Sequence, residues 1–184
     1  MTNAFIFHGT GGHPEENWFP WLKKELEDKG LEVFVPQFPT PEGQSLEAWL
    51  KVLEPHLQKI NTDTILIGHS LGGMFTLKLL EILSTPIKLA VLVGTPIGIG
   101  TIKNFEQDKN FAGFDFDWRK IKLNSKNFIV YHSDNDPYVC LENGQELAKN
   151  LDAKLTFIPK AGHFNAKAGY KKFEGLLKNL EKYL

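Results

Sequence analysis

Thr64-Ile65-Leu66-Ile67-Gly68-His69-Ser70-Leu71-Gly72-Gly73 is the stretch on which the reading of this chain turns. Thr64–Ile67 is a short run with the character of a parallel strand covered on both faces. From Leu71 to Leu83, Met74, Phe75, Leu77, Leu79, Leu80 and Ile82 surround a helix almost completely. That predicts a helix buried in the middle of the domain. Between the two, Gly68-x-Ser70-x-Gly72 must reverse the chain within a few residues. Such a turn forces the serine into a sparsely populated backbone conformation, at a cost of about 1–3 kcal/mol. Side chains two residues to either side would collide, which accounts for both glycines. The turn lifts the Ser70 hydroxyl out of the sheet. It also sets the Leu71 amide at a helix N-terminus, where developing negative charge is favoured.

Outward from this turn the same alternation recurs. Ala4–Phe7, Glu32–Val35, Leu89–Val93, Phe128–Tyr131 and Lys154–Ile158 read as further strands. Between them lie helical patterns: Trp18–Lys29 stopped by Gly30, a helix opened by Ser45 with Leu46, Trp49, Leu50, Leu53 and Leu57 on one stripe, and a last helix with Phe173, Leu176, Leu177 and Leu180. Strict alternation predicts an α/β fold: a twisted, mostly parallel sheet with right-handed crossovers, helices on both faces and one compact domain over 1–184. Ligands in such folds sit beyond the carboxyl ends of the strands. One connection is long. Gly94–Asp117 carries Phe105, Phe111, Phe114 and Phe116 among polar residues, and is read as a short lid or pocket wall over 94–117.

Composition narrows the function classes. The 184 residues carry 21 basic and 22 acidic side chains, a net charge of −1, so a dedicated nucleic-acid binder is not expected. Apolar residues make up 42%, enough for a core and too much for a disordered chain. Lys167, Lys171, Lys172, Lys178 and Lys182 are diluted by Glu174 and Glu181 and read as a solvated face. Cys140 is the only cysteine, which leaves no intramolecular disulfide and no thiolate cluster. Met1–Phe7 lacks the basic start and apolar length of a secretion signal, and Leu89–Val93 is far too short to span a bilayer. A cytoplasmic protein with no membrane association is the expectation, and no protein partner is indicated.

A serine hydroxyl needs a base to take its proton. Of six histidines, His163 follows the last strand in Pro159-Lys160-Ala161-Gly162-His163-Phe164, at the sheet's carboxyl edge, and is the best general base. His56 falls on a helix surface, His69 should point away from Ser70, and His8 and His13, near the first strand's end, stay open as alternatives on chemistry alone. The base in turn needs a carboxylate to fix its tautomer. Phe128–Tyr131 runs into His132-Ser133-Asp134-Asn135-Asp136-Pro137; Asp136 is favoured, with Asp134 the alternative that merely caps the turn. The order serine, acid, histidine is that of α/β-hydrolases. In His8-Gly9-Thr10-Gly11-Gly12 the glycines allow close backbone approach, so the Thr10 amide is assigned with that of Leu71 to an oxyanion hole. A dinucleotide loop fails there because Pro14 stands where the last glycine belongs. His13, Glu15 and Glu16 are too close in sequence to converge on one metal ion, so neither cofactor nor metal is expected.

Together these residues resemble the small serine hydrolases of the retinoblastoma-binding-protein-nine type, particularly their bacterial YdeN-like members. The matching pieces are His8-Gly9-Thr10, Asn17-Trp18-Phe19-Pro20-Trp21-Leu22-Lys23-Lys24, Pro36-Gln37-Phe38-Pro39, Trp49, Gly68-His69-Ser70-Leu71-Gly72, Asp136-Pro137 and Gly162-His163-Phe164. The resemblance spans nearly the full chain. It implies a stripped-down three-layer α/β-hydrolase whose six strands have the order 2-1-3-4-5-6, with Ser70, Asp136 and His163 as its catalytic set. Gly94–Asp117 departs from the family pattern and leaves substrate preference open. The expected activity is cleavage of small or medium carboxylic esters through an acyl-enzyme, with Trp18, Phe19, Phe111 and Phe114 forming apolar walls. A thioesterase, amidase or peptidase would use the same groups. A non-catalytic binding module on this fold would need none of them, and a dehalogenase would carry a carboxylate where Ser70 stands.

Overall fold

The computed structural model describes Thr2–Leu184; of the Met1–Phe7 stretch, Met1 lies outside the described residues. Six strands form one sheet among those residues: β1 (Asn3–Phe7), β2 (Glu32–Phe34), β3 (Thr64–His69), β4 (Leu89–Val93), β5 (Phe128–His132) and β6 (Leu155–Phe157). Their order is β2-β1-β3-β4-β5-β6, with every neighbouring pair parallel. The helices are α1 (Phe19–Asp28), α2 (Leu46–Leu53), α3 (Leu71–Ile82), α4 (Phe105–Ala112), α5 (Trp118–Leu123), α6 (Leu141–Asn150) and α7 (Glu174–Leu180).

Alternation along β1 shows why the strands read as unbroken apolar runs. Phe5 and Phe7 pack into one core with Leu66, Trp49, Phe75, Phe111, Ile121 and Leu147, drawn from α2 to α6. Ala4 and Ile6 pack into a second core on the other face, with Ile65, Ile67, Leu22, Leu26, Leu176 and Leu180 from α1 and α7. Both faces are covered, so the middle positions of β1, β3, β4 and β5 are apolar on either side of the sheet. Every residue of α3 from Leu71 to Leu80 is buried; Ile82, at its end, is mostly exposed. The long connection is not structureless. It holds α4, anchored by Phe111, whose ring packs edge-on to Trp49 at 4.9 Å.

The approach of α3 to the sheet is as close as backbone permits. A Cβ on Gly68 would fall 2.4 Å from the Gly72 carbonyl oxygen, and one on Gly72 would fall 2.2 Å from that of Phe7. The second clash is with a strand backbone, which cannot swing aside. Gly72→Ala is therefore expected to push α3 off β1 and cost about 3–5 kcal/mol. Denaturant unfolding checks this; a loss below about 1 kcal/mol would show that the helix can retreat.

Candidate active site

Ser70 sits between β3 and α3 with φ 55° and ψ −124°, the left-handed side of the map where a non-glycine residue is strained. Its neighbours hold it there. The Ser70 amide donates to the Val93 carbonyl at 2.8 Å, and the Ser70 carbonyl accepts from the Gly73 amide at 2.9 Å. From the β1 side, Gly9 comes so near that a Cβ there would lie 2.8 Å from the Ser70 Cβ and 3.2 Å from its Oγ. Only glycine lets this loop pass the serine. Neither the Thr10 nor the Leu71 amide donates to a protein acceptor among the described residues.

Opposite, two loops lock together residue by residue. The Asp134 carboxylate accepts from the Lys160 amide at 2.7 Å, the Ser133 hydroxyl from the Ala161 amide at 2.9 Å, and the Asn135 side-chain Oδ1 from the Gly162 amide at 2.7 Å. Asp136 completes the series: its Oδ2 accepts from His163 Nδ1 at 2.6 Å. The other Asp136 oxygen accepts from the amides of Tyr138 and Val139, at 2.8 and 3.1 Å. With its side chain fully buried, this carboxylate is fixed in place, and Nδ1–H fixed on its side leaves His163 Nε2 with a lone pair. Of the two aspartates weighed from sequence, Asp136 is the one against the imidazole; Asp134 is exposed and secures the loop.

His69 braces the same loop from below. Burial holds its pKa down at about 3, so the ring is neutral, and its Nε2–H donates to the His163 carbonyl at 2.7 Å. The remaining histidines are accounted for elsewhere. His8 is buried, donates from Nδ1 to the Gly9 carbonyl and accepts the Phe38 amide at Nε2. His132 bonds the Val139 carbonyl, and burial lowers its pKa as it does that of His8. His13 is exposed, and His56 packs against Phe34.

Ser70 and His163 open on one cavity of about 320 Å³, which also meets Thr10, Tyr138, Asn104 and Asp108. The apolar walls expected of Trp18, Phe19, Phe111 and Phe114 are not among its lining. Trp18 and Phe19, at the start of α1, are wholly buried, and the Trp18 indole donates to the Phe164 carbonyl at 2.9 Å. Phe111 is in the core against Trp49, and Phe114 covers Gly98 and Phe105. Large aromatic surface gains more from a closed core than from a water-filled cleft, and these rings follow that preference. The 94–117 segment meets the cavity instead through Ile102, Asn104 and Asp108.

Asp108 is the residue that the sequence reading missed. It is 4% exposed, and its carboxyl has no ion pair or side-chain hydrogen bond among the described residues. Burial alone raises its pKa to about 7. The signal was an acid three residues from both Phe105 and Phe111, on the inward side of a helix. Because the folded pKa lies above the ordinary 3.8, folding is supported below that pH, and the support is lost as pH rises towards 7. Asp108→Asn is thus expected to raise stability at pH 8 by about 1–4 kcal/mol, a gain that vanishes near pH 4. Melts at the two pH values check this; a gain independent of pH would mean the carboxyl is not desolvated.

Comparison with known proteins fits this geometry. The family model described as serine hydrolase matches residues 4–182. The chain belongs to the serine hydrolase family. This serine hydrolase is 30% identical over 167 residues to YdeN of Bacillus subtilis (strain 168), covering 91% of the chain and 88% of the relative. It is also 30% identical over 166 residues to the serine hydrolase RBBP9 of Rattus norvegicus, covering 89% and 87%. The crystal structure of the B. subtilis ydeN gene product superposes with a TM-score of 0.86 at 28% identity, covering 100% of this chain and 98% of that one. A meta-cleavage product hydrolase from Pseudomonas fluorescens IP01, 13% identical with a TM-score of 0.76, shares the α/β-hydrolase fold alone. No helix among the described residues is long and apolar enough to cross a membrane.

Proposed function

We propose that this serine hydrolase cleaves small carboxylic esters, with Ser70 as nucleophile, His163 as general base and acid, and Asp136 as the group that orients the imidazole. The observation that carries this reading is the 2.6 Å bond between Asp136 and His163, on a cavity shared with a serine held at positive φ. His163 Nε2 takes the Ser70 proton as Oγ bonds to the ester carbonyl carbon. The carbonyl oxygen becomes an oxyanion, received by the free amides of Thr10 and Leu71. Collapse breaks the bond to the alkoxide, which leaves with the proton from His163. A water then gives its proton to the same nitrogen, attacks the acyl-enzyme, and releases the carboxylic acid and the Ser70 hydroxyl. A cavity near 320 Å³ is at the small end for ligand sites and favours short acyl groups.

A panel of esters graded by acyl length tests the substrate class, together with labelling by a fluorophosphonate probe and location of the adduct. The expected result is an adduct on Ser70 and turnover that declines with long acyl chains. No adduct, or turnover of none of the esters, overturns the reading. A pure binding module would not react covalently.

A further inference from the structure

The cavity's lining makes a demand that ester hydrolysis does not use. Asp108 lines it from α4; the residue is 4% exposed, and its carboxyl makes no hydrogen bond or ion pair among the described residues. The charged and titratable groups that share the cavity are Glu16, His69, Tyr138, His163 and Lys167. His69 is neutral, and the His163 Nδ1 proton is committed to Asp136. Lys167 is exposed and forms no ion pair with Asp108. A second acid, Glu16, has its own pKa raised by burial, so the lining is short of positive charge. On the same lining, the Thr10 hydroxyl is buried without a hydrogen-bond partner. Largely buried polar groups ordinarily have partners, and a carboxyl without a protein partner on the cavity that holds the nucleophile is grounds for a partner that arrives with the substrate.

We propose that Asp108 determines specificity by receiving the ammonium group of the substrate, so that the preferred esters carry a primary amine within reach of the scissile bond. A neutral hydroxyl could fill one hydrogen bond but would leave the carboxylate's charge unmet. An ammonium supplies both the donors and the charge. The placement on α4 also gives the 94–117 segment a function: it carries the group that reads the substrate, while β3, β5 and β6 carry those that cut it. This inference rests on Ser70 being the nucleophile of the cavity.

The test compares ethyl 3-aminopropanoate and ethyl 4-aminobutanoate with their neutral isosteres, ethyl butanoate and ethyl pentanoate, at about pH 8. In the wild type, kcat/KM is expected to favour the better amino ester over its isostere by roughly 10- to 100-fold. In Asp108→Asn that ratio is expected to fall to near one. A second arm needs no variant: butylammonium should protect Ser70 from the fluorophosphonate probe at about tenfold lower concentration than 1-pentanol. A ratio near one in the wild type, or one unmoved by the substitution, overturns the proposal while probe labelling and neutral-ester turnover leave the nucleophile assignment standing. Absence of labelling defeats both. Where no ester of the set is turned over but the probe labels, equal protection by the amine and the alcohol overturns it, and selective protection by the amine supports it.

Discussion

Ser70→Ala is expected to lower ester turnover by about 10⁵ or more and to abolish the fluorophosphonate adduct, while the melting curve stays close to that of wild type. The substitution removes one oxygen from a half-exposed position and leaves the turn's backbone bonds to Val93 and Gly73 in place. Alanine at φ 55° carries the same strain as serine, so nothing in the fold need relax. What disappears is the bond-forming atom. His163 could still activate water, and the amides of Thr10 and Leu71 could still receive an oxyanion. A residual rate somewhat above the uncatalysed one is therefore consistent with the mechanism; in other serine hydrolases such remnants are roughly 10³–10⁴ over water. Intact-protein mass after probe treatment is the decisive measurement. A variant that is labelled like the wild type would place the nucleophile on another residue.

The sheet was legible in the sequence because parallel strands covered on both faces read as nearly continuous apolar runs, which Leu89–Val93 and Ile65–Ile67 display. The turn at Ser70 was legible for a different reason: its glycines answer a steric need that can be derived from the turn alone. The loops after β5 and β6 could be chosen by topology, since both end at the carboxyl edge. Their lock could not. The pairing of Ser133, Asp134, Asn135 and Asp136 with Lys160–His163 joins segments separated by 26 to 28 residues, and no local pattern announces it. Nor does any pattern announce the His69 bond to the His163 carbonyl, across 94 residues. The aromatic residues misled for a physical reason. Phe111 and Trp18 could each serve a core or a pocket, and composition does not say which; the two hydrophobic cores claimed them. The cavity was left to polar side chains from several loops, Asn17, Asn104 and Asn165 among them, whose spacing in sequence carries no period.

Asp136→Asn is expected to reduce kcat by about 10⁴ with little change in stability, whereas Asp134→Asn should stay within a few-fold of wild type. The Asp136 Oδ1 accepts from two backbone amides, those of Tyr138 and Val139, and an asparagine carbonyl oxygen keeps both. That choice puts the new NH₂ where Oδ2 was, facing His163 Nδ1 at 2.6 Å. Two donors cannot share that contact, so Nδ1 must give up its hydrogen and Nε2 must carry it. The ring keeps its position, but the nitrogen that faces the cavity has lost the lone pair needed to take the Ser70 proton, and the imidazolium formed in the reaction has lost its counter-charge. Asp134 is in a different position: its Oδ1 accepts only the Lys160 amide, and asparagine can do the same. The pair of variants therefore separates the carboxylate that sets the tautomer from the one that fastens the loop. Steady-state rates with one short-chain ester, alongside the imidazole nitrogen chemical shifts of His163, provide the check. A near-normal kcat in Asp136→Asn, or a collapse confined to Asp134→Asn, would mean that the orienting carboxylate is not the one the 2.6 Å contact indicates.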